Sequence, residues 1–385
     1  MRRPPLFQPH VRRGRGWRQG LRNCRCGRAE GGALTEPRQV RAEALEAFAR
    51  TVLRAAGVSP VHARTVAACL ITANLEGVDT HGIARLPTYA RRVVCRLVNP
   101  QPKSRVVRAR GGAALMEGDN GLGPVVAMAA MNEAIRRARR YGVAWVSVRN
   151  SNHFSYAGYY CARAAQRGMI GLASSSGEPC VAPWGGRTPF FSNNPFALAA
   201  PTGSTPIVVD LATSVTSRGH ILLAKQTGQV IPTGWAIDRA GRLTTNPNAA
   251  LAGSVLPMAG AKGYALIVAL EILSGVLTGG PFAPQVGSQY KDWDRPASIG
   301  QFFAAIDPSV FMPKRRFLKR MGRMIADVHR STRQRGVREI LLPGERRQQV
   351  ASERRRRGIP LHPRIVEELK AVARELGAPV GGILQ

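Results

Sequence analysis

The chain has 385 residues, 44% of them hydrophobic, and a formal net charge of +33. That length allows two domains or one large one with a substantial core, and the spread of glycine and proline along it points to a globular protein. The charge raises nucleic acid as a partner, but the arginines are dispersed and the aromatics, 6% of residues, do not interleave with them as a stacking surface would need. A solvated basic surface is the leading expectation, with a non-catalytic, basic nucleic-acid-binding protein as the lesser alternative.

The N-terminal segment up to about residue 35 carries its arginines, Arg2 to Arg28, against Glu30 alone, without apolar periodicity. Residues 1–36 are therefore expected to be a disordered basic extension or the product of a mis-called start. They lack the apolar core of a secretory signal. The apolar run Ala265–Thr278 is interrupted by Glu271 and reads as too short to span a bilayer, so a cytoplasmic protein with no membrane partner is expected. The cysteines Cys24, Cys26, Cys69, Cys95, Cys161 and Cys180 show no zinc spacing, which predicts reduced thiols and no metal.

Order is predicted from about Val40. Leu45, Phe48, Ala49, Val52 and Ala56 recur at helical spacing and Gly57 stops that helix. Ser59-Pro60 reads as N-cap and first-turn proline of a second helix ending towards Gly77. There follows Asp79-Thr80-His81-Gly82-Ile83-Ala84-Arg85-Leu86-Pro87-Thr88-Tyr89. Helical spacing would put His81, Arg85 and Tyr89 on one face, although Pro87 requires a helix to start near it or to kink. Gly118–Gly123 reads as a loop, the stretch after Pro124 as a helix to Gly142, and Val143–Val148 as a strand. At that strand's end stands Asn150-Ser151-Asn152-His153-Phe154, small polar residues leading into an imidazole, which suits the mouth of a site.

Tyr156–Gln166 is a predicted helix and Met169–Ala173 a strand. A loop-rich region leads to the short strand Ile207–Val209, which ends in Asp210-Leu211-Ala212-Thr213-Ser214. Gly260-Ala261-Lys262-Gly263 opens a long apolar helix, where a lysine and free backbone N–H groups could hold an anion. Phe311–Ser331 and Pro363–Leu376 are two further predicted helices. The sequence has no G-x-G-x-x-G after a strand, so a Rossmann domain is not supported.

These motifs, in this order, resemble the malate/L-lactate dehydrogenase family of NAD(P)-dependent oxidoreductases from about Val40 to Gly377. Asn194-Pro195, Ile231–Asp238, Leu342-Pro343-Gly344-Glu345 and Gly358-Ile359-Pro360-Leu361 extend the match. The resemblance implies an α/β (α+β), non-Rossmann nicotinamide-binding fold with a mixed, largely antiparallel sheet and a helical domain built from both chain ends. It implies an N-terminal helical and substrate segment at 37–112, a cofactor-binding domain at 113–312, and C-terminal helices at 313–385 that pack with the N-terminal segment.

The same resemblance implies NAD or NADP as cofactor, a homodimer, and a small carboxylate substrate. The reaction would interconvert a 2-hydroxy acid and its 2-oxo acid; the alternative is a cyclic-imine carboxylate or diketogulonate-type reductase. By position, His81 matches a histidine that acts as catalytic proton donor, His153 one that is the proton acceptor in some members, Arg85 a carboxylate-binding arginine, Tyr89 a pocket residue, and Asp210 a residue that supports catalysis in some members. Ser175, Ser176 and Gly177, Leu211, Ala212 and Thr213, and Ala261 with Lys262 fall where the cofactor is held. The roles agree with the chemistry, because an imidazole can take the hydroxyl proton and a guanidinium fork can orient a carboxylate. This sequence departs from the family at Thr80, which replaces serine, at Ser176-Gly177, which replace Asn-Ser, and at Ser155, Ser192 and Arg96, each replacing glycine. His220 stands where lysine is frequent.

Overall fold

The computed structural model describes residues 37–226 and 228–380. The basic extension, with Cys24 and Cys26 and the expectation of disorder, lies outside the described residues. The helices are α1 Ala42–Ala55, α2 Pro60–Leu75, α3 Leu86–Val94, α4 Gly123–Tyr141, α5 Gly158–Gln166, α6 Arg218–Gln226, α7 Pro247–Ala252, α8 Ala261–Ser274, α9 Lys314–Arg330, α10 Glu345–Arg357 and α11 Pro363–Glu375. The strands are β1 Arg38–Val40, β2 Arg105–Arg110, β3 Ala113–Glu117, β4 Val143–Ser151, β5 Ile170–Ser175, β6 Phe196–Ala200, β7 Ile207–Leu211, β8 Ala236–Ile237, β9 Leu243–Thr244, β10 Ser254–Val255, β11 Ile299–Ile306 and β12 Ile359–Leu361.

Seven strands form one sheet in the order β2-β3-β4-β11-β5-β6-β7. Only β3 and β4 run parallel; every other neighbouring pair is antiparallel. The mixed, largely antiparallel sheet expected from the resemblance is therefore present. One face packs Val146, Val148 and Phe303 against α4 and α5, with Met131 and Tyr160 fully buried between them. On the other face Trp145 stacks on Phe302 with ring centroids 4.2 Å apart.

A second core joins the two ends of the chain. β1 pairs antiparallel with β12, Arg38 opposite Leu361. Leu45, Phe48 and Leu53 of α1, Leu70 of α2, Leu86 of α3, and Leu369 and Val372 of α11 close over it. Each fully buried leucine contributes roughly 1.5–3 kcal/mol, so the N-terminal helices are stabilised by residues that lie 300 positions away.

Three elements differ from the sequence reading. β4 continues through Arg149, Asn150 and Ser151, so the polar stretch begins inside the strand and leaves it at Asn152. Asn150 takes φ +54°, close to a register shift between Ile299 and Gln301 that lets the strand bend. The Asp79–Tyr89 segment is no single helix: two 3₁₀ turns, Asp79–His81 and Ile83–Arg85, precede α3, with Pro87 in its first turn. Finally α10 had no counterpart among the predicted elements, because its sequence is polar all round and buries only Ala351, leaving no apolar stripe to read.

Among the described residues one stretch, Ala261–Thr278, is long and apolar enough to cross a membrane by length and composition. Its Glu271 is buried, and the carboxylate accepts hydrogen bonds from Asn194 Nδ2 at 2.7 Å and from the Ala283 N–H at 2.6 Å. A carboxylate tied into the protein on both oxygens marks a core helix that packs on β5 and β11.

Candidate active site

The first wall of the site is a turn held from beneath by an amide. Asn74, buried on α2, donates to Asp79 Oδ1 at 2.6 Å and accepts from the Ile83 N–H at 2.7 Å. Gly82 lies so close that a Cβ there would sit 2.2 Å from Asn74 Oδ1. From the far end of the chain Arg354 grips both oxygens of Asp79, at 2.7 and 3.0 Å, and also donates to the Asn74 carbonyl. The turn presents Thr80, His81 and Arg85. Thr80 Oγ1 lies 3.0 Å from His81 Nδ1, and Arg85 Nε donates to the Thr80 carbonyl at 2.6 Å. That bond orients the guanidinium and leaves its terminal nitrogens without an ion-pair partner among the described residues.

The second wall is the end of β4. Asn152 Nδ2 donates to Gly121 O at 2.9 Å and Asn120 Oδ1 at 3.0 Å, while Gln301 Nε2 donates to Asn152 O at 3.0 Å. This fixes the backbone at His153, whose ring stacks on that of His81 with centroids 5.6 Å apart. The Tyr89 hydroxyl lies 2.7 Å from His153 Nδ1 and 3.0 Å from the His153 carbonyl. Ser155, at φ +68°, donates its hydroxyl to the His81 carbonyl at 2.8 Å and its N–H to His153 Nδ1 at 3.4 Å. A residue that stands where the family has glycine thus keeps the left-handed backbone and adds a clasp between the two histidine segments.

His81, Arg85, Tyr89 and His153 therefore lie together in one cluster. Burial, and after it the charges of Arg85, Arg347 and His220, draws the His81 imidazole from 6.5 down to about 3. The His153 imidazole is held well below its usual range by burial, then by Arg85 and His81. Burial pushes the Tyr89 phenol up, so it stays a protonated donor. Both imidazoles are neutral at physiological pH, and the uncompensated Arg85 charge acts on both.

Asp210 does not join them. It is buried at the end of β7, where Oδ2 accepts from Arg347 Nη1 at 3.0 Å and the carboxylate caps the α5 N-terminus at Gly158. A Cβ on Gly158 would fall 2.9 Å from that oxygen. Burial raises the Asp210 carboxyl despite the arginine. Its geometry is that of an internal brace between β7, α5 and α10.

Of the residues expected to hold a cofactor, Ala212 lines a cleft whose α6 end lies against Thr80, next to His81. A cavity of about 710 Å³ is lined by Ala212, Ser214, His220, Ala224, Ile231 and Trp235, within the roughly 300–1,000 Å³ range of cofactor sites. A Cβ on Gly219 would lie 3.3 Å from the Thr80 side chain, so the α6 end of the cleft abuts the first wall. Leu211 is exposed, whereas Thr213 is buried and donates Oγ1 to Asn193 O at 2.7 Å. The Met258 N–H donates to Thr213 O at 2.9 Å, which sets the start of α8 beside the Leu211–Thr213 strand end. That start has no side-chain cap, and Ala261 and Lys262 are exposed on it. An uncapped helix N-terminus that carries an exposed lysine suits an anionic group.

Ser175 and Ser176 are buried with their hydroxyls already engaged, Ser175 with Ser176 O at 2.8 Å and Ser176 with Gly300 O at 3.1 Å. With their protons committed, these hydroxyls are left to act as acceptors. Gly177 is closed in by Ser192, whose Oγ would lie 2.7 Å from an added Cβ.

Residues 40–370 match the family model described as malate/L-lactate dehydrogenase. The chain belongs to that family. Its structure superimposes on malate dehydrogenase from Pyrococcus horikoshii OT3 with a TM-score of 0.83 and 35% identity, covering 91% of this chain and 99% of that one. A (2R)-3-sulfolactate dehydrogenase (NADP(+)) of Chromohalobacter salexigens is 36% identical over 85% of this chain and 96% of its own length. A ureidoglycolate dehydrogenase (NAD(+)) of Escherichia coli O157:H7 is 34% identical over 79% of this chain and 86% of its own length. By family, this protein is an NAD(P)-dependent dehydrogenase that acts on a CH–OH group.

Four residues that shape the site went unread in the sequence: Asn74, Arg347, Arg354 and Tyr290. Arg347 and Arg354 lie two turns apart on α10, which carries no periodic signal. Asn74 inside an apolar helix was the one visible clue, since a buried amide requires partners.

Proposed function

We propose that the protein interconverts a small 2-hydroxy acid and its 2-oxo acid by hydride transfer with NAD or NADP. The observation that carries this is a pair of stacked, neutral imidazoles beside an arginine whose terminal nitrogens have no carboxylate. Such a guanidinium suits a substrate carboxylate, held through two parallel N–H···O bonds. Segments 37–112 and 313–385 would carry the substrate side, and 113–312 the cofactor. Leu211–Thr213, Ala261 and Lys262 would hold the cofactor, with backbone groups of Ser175–Gly177. When bound, it supplies the acceptor or donor of the hydride.

The hydrogen bonds favour different tasks for the two histidines. The Ser155 N–H can only donate, so His153 Nδ1 is an acceptor and the neutral ring carries its proton on Nε2. The single Tyr89 hydroxyl proton is then shared between this Nδ1 and the His153 carbonyl. His153 is thereby suited to donate Nε2–H to the reacting oxygen, and His81 to take the hydroxyl proton during oxidation. Carboxylate binding at Arg85 would offset the charge that depresses both imidazoles, so the proton is easiest to hold when substrate is present.

The exposed apolar side chains of α8 and the turn after it, Ile272, Val276 and Leu277, suit a second copy of the chain. A homodimer in the cytoplasm is the arrangement we propose, and sedimentation would register it.

The deciding experiment is a panel of 2-oxo acids and cyclic-imine carboxylates, each with NADH and NADPH, followed by nicotinamide absorbance. It is repeated with Arg85→Lys. Turnover of a 2-oxo acid, with an acid KM raised about tenfold or more by Arg85→Lys and an unchanged cofactor KM, is expected. Wild-type acid kinetics in that variant would refute the assignment of Arg85.

A further inference from the structure

Two arginines on consecutive stretches of one segment are each covered by an aromatic ring from one distant loop. The Arg85 guanidinium lies 5.6 Å from the Tyr290 ring centroid, and the Arg92 guanidinium 5.6 Å from that of Trp293. Seven residues separate the arginines and three the rings, so the loop is docked in register along α3. Arg92 is only 2% exposed, yet no carboxylate pairs with it. It donates instead to three carbonyls of the same loop: Asp292 at 2.8 Å, Arg295 at 3.1 Å and Gln289 at 3.4 Å. A buried cation held by carbonyls of one loop is an anchor whose loss would leave those carbonyls unpaired.

The loop is closed by its own bonds. Asp292 Oδ2 accepts from the Ser288 N–H at 3.0 Å and from Arg295 Nε at 2.9 Å, Ser288 Oγ accepts from the N–H groups of Tyr290 and Lys291, and Trp293 Nε1 donates to Tyr290 O at 3.1 Å. It is therefore a preformed unit that reaches the candidate site through the Tyr290 ring on Arg85.

We infer that Ser288–Arg295 is a substrate-site loop in which Tyr290 covers one face of the Arg85 guanidinium and Arg92 is the positioning residue that docks the loop. The inference rests on the reading of Arg85 as the carboxylate clamp. With that face closed by a ring, the anion is admitted edge-on, in the plane where a bidentate pair forms. Tyr290 is thus a specificity-determining residue for planar 2-oxo carboxylates, and the cofactor cleft is untouched by it.

The test measures oxamate, a non-reacting 2-oxo-acid analogue, bound to the NADH complex of wild type, Tyr290→Phe, Tyr290→Leu, Arg92→Lys and Arg85→Lys. Binding is read by calorimetry, alongside KM for the 2-oxo acid and for NADH. Tyr290 is 44% exposed, so its variants keep the fold. Tyr290→Leu is expected to weaken oxamate and raise the acid KM by about two- to tenfold, the range of one cation–π contact, with the NADH KM unmoved. Tyr290→Phe, which keeps the ring, should match wild type, and Arg92→Lys should reproduce the Tyr290→Leu loss. Unchanged oxamate affinity in Tyr290→Leu, with binding lost in Arg85→Lys, would overturn the loop assignment alone. Unchanged affinity in Arg85→Lys would overturn the clamp and the loop with it.

Discussion

Tyr89→Phe isolates one hydroxyl in a site where everything around it is fixed. Tyr89 is 4% exposed, and its oxygen is 2.7 Å from His153 Nδ1 and 3.0 Å from the carbonyl of the same residue. A phenol has one proton, so its removal deletes one strong bond and leaves a buried acceptor facing a ring edge. The remaining donor to Nδ1, the Ser155 N–H at 3.4 Å, makes a longer and weaker bond. An unsatisfied buried acceptor costs about 1–3 kcal/mol. Because the bond holds the tautomer that presents Nε2–H, most of that loss should fall on the transition state, lowering kcat/KM by roughly five- to 150-fold. Steady-state assays by nicotinamide absorbance give the number, a urea titration separates it from global stability, and ¹⁵N chemical shifts of His153 report the tautomer. A variant within twofold of wild type in kcat/KM, or a wild-type ring protonated at Nδ1, would refute the reasoning.

Two further outcomes follow from the same geometry. His81 sits at about 3 instead of 6.5, so kcat/KM for oxidation of the hydroxy acid should hold its plateau as pH falls through about 6.5, and an inflection at or above that value contradicts the assignment. The unfolded chain takes up the proton that folded His81 refuses; stability from this residue is complete above the unfolded value and lost as pH falls towards about 3. His81→Leu should flatten that dependence in denaturant melts. Gly123 starts α4 directly under His153, and a Cβ there would lie 2.2 Å from the His153 carbonyl and 2.4 Å from that of Asn152. Gly123→Ala should therefore shift the imidazole and cut kcat by about a hundredfold, the scale of a 1 Å misplacement, and wild-type turnover in it would show that the backbone has room.

Sequence motifs carried the pocket's four polar side chains because each sits in a short local pattern. His81, Arg85 and Tyr89 lie within nine residues, and His153 comes two residues after the end of β4. The strand order was not legible in the same way: β11, from the last third of the chain, inserts between β4 and β5, a pairing that no local pattern encodes. Asp210 illustrates the opposite limit. Its role was expected from the family resemblance alone, and only the distant Arg347 shows that Oδ2 and the backbone carbonyl of Asp210 are engaged with α10. The serines of β5 likewise looked available until their hydroxyls were found turned onto Ser176 O and Gly300 O.

The pairing of β1 with β12, and of Asp79 with Arg354, has a consequence for how the protein is made. On the ribosome His81 emerges early, but the arginine that braces its turn is translated roughly 270 residues later. At about 5–20 residues per second that interval is on the order of 15–55 s. Through it the first helices have neither β12 nor α11 to cover Leu45, Leu53 and Leu70. A nascent chain of this protein carries an exposed apolar surface and an unfinished catalytic turn until translation is almost complete, and a message cut short before Ile359 yields no enzyme, only a client for chaperones.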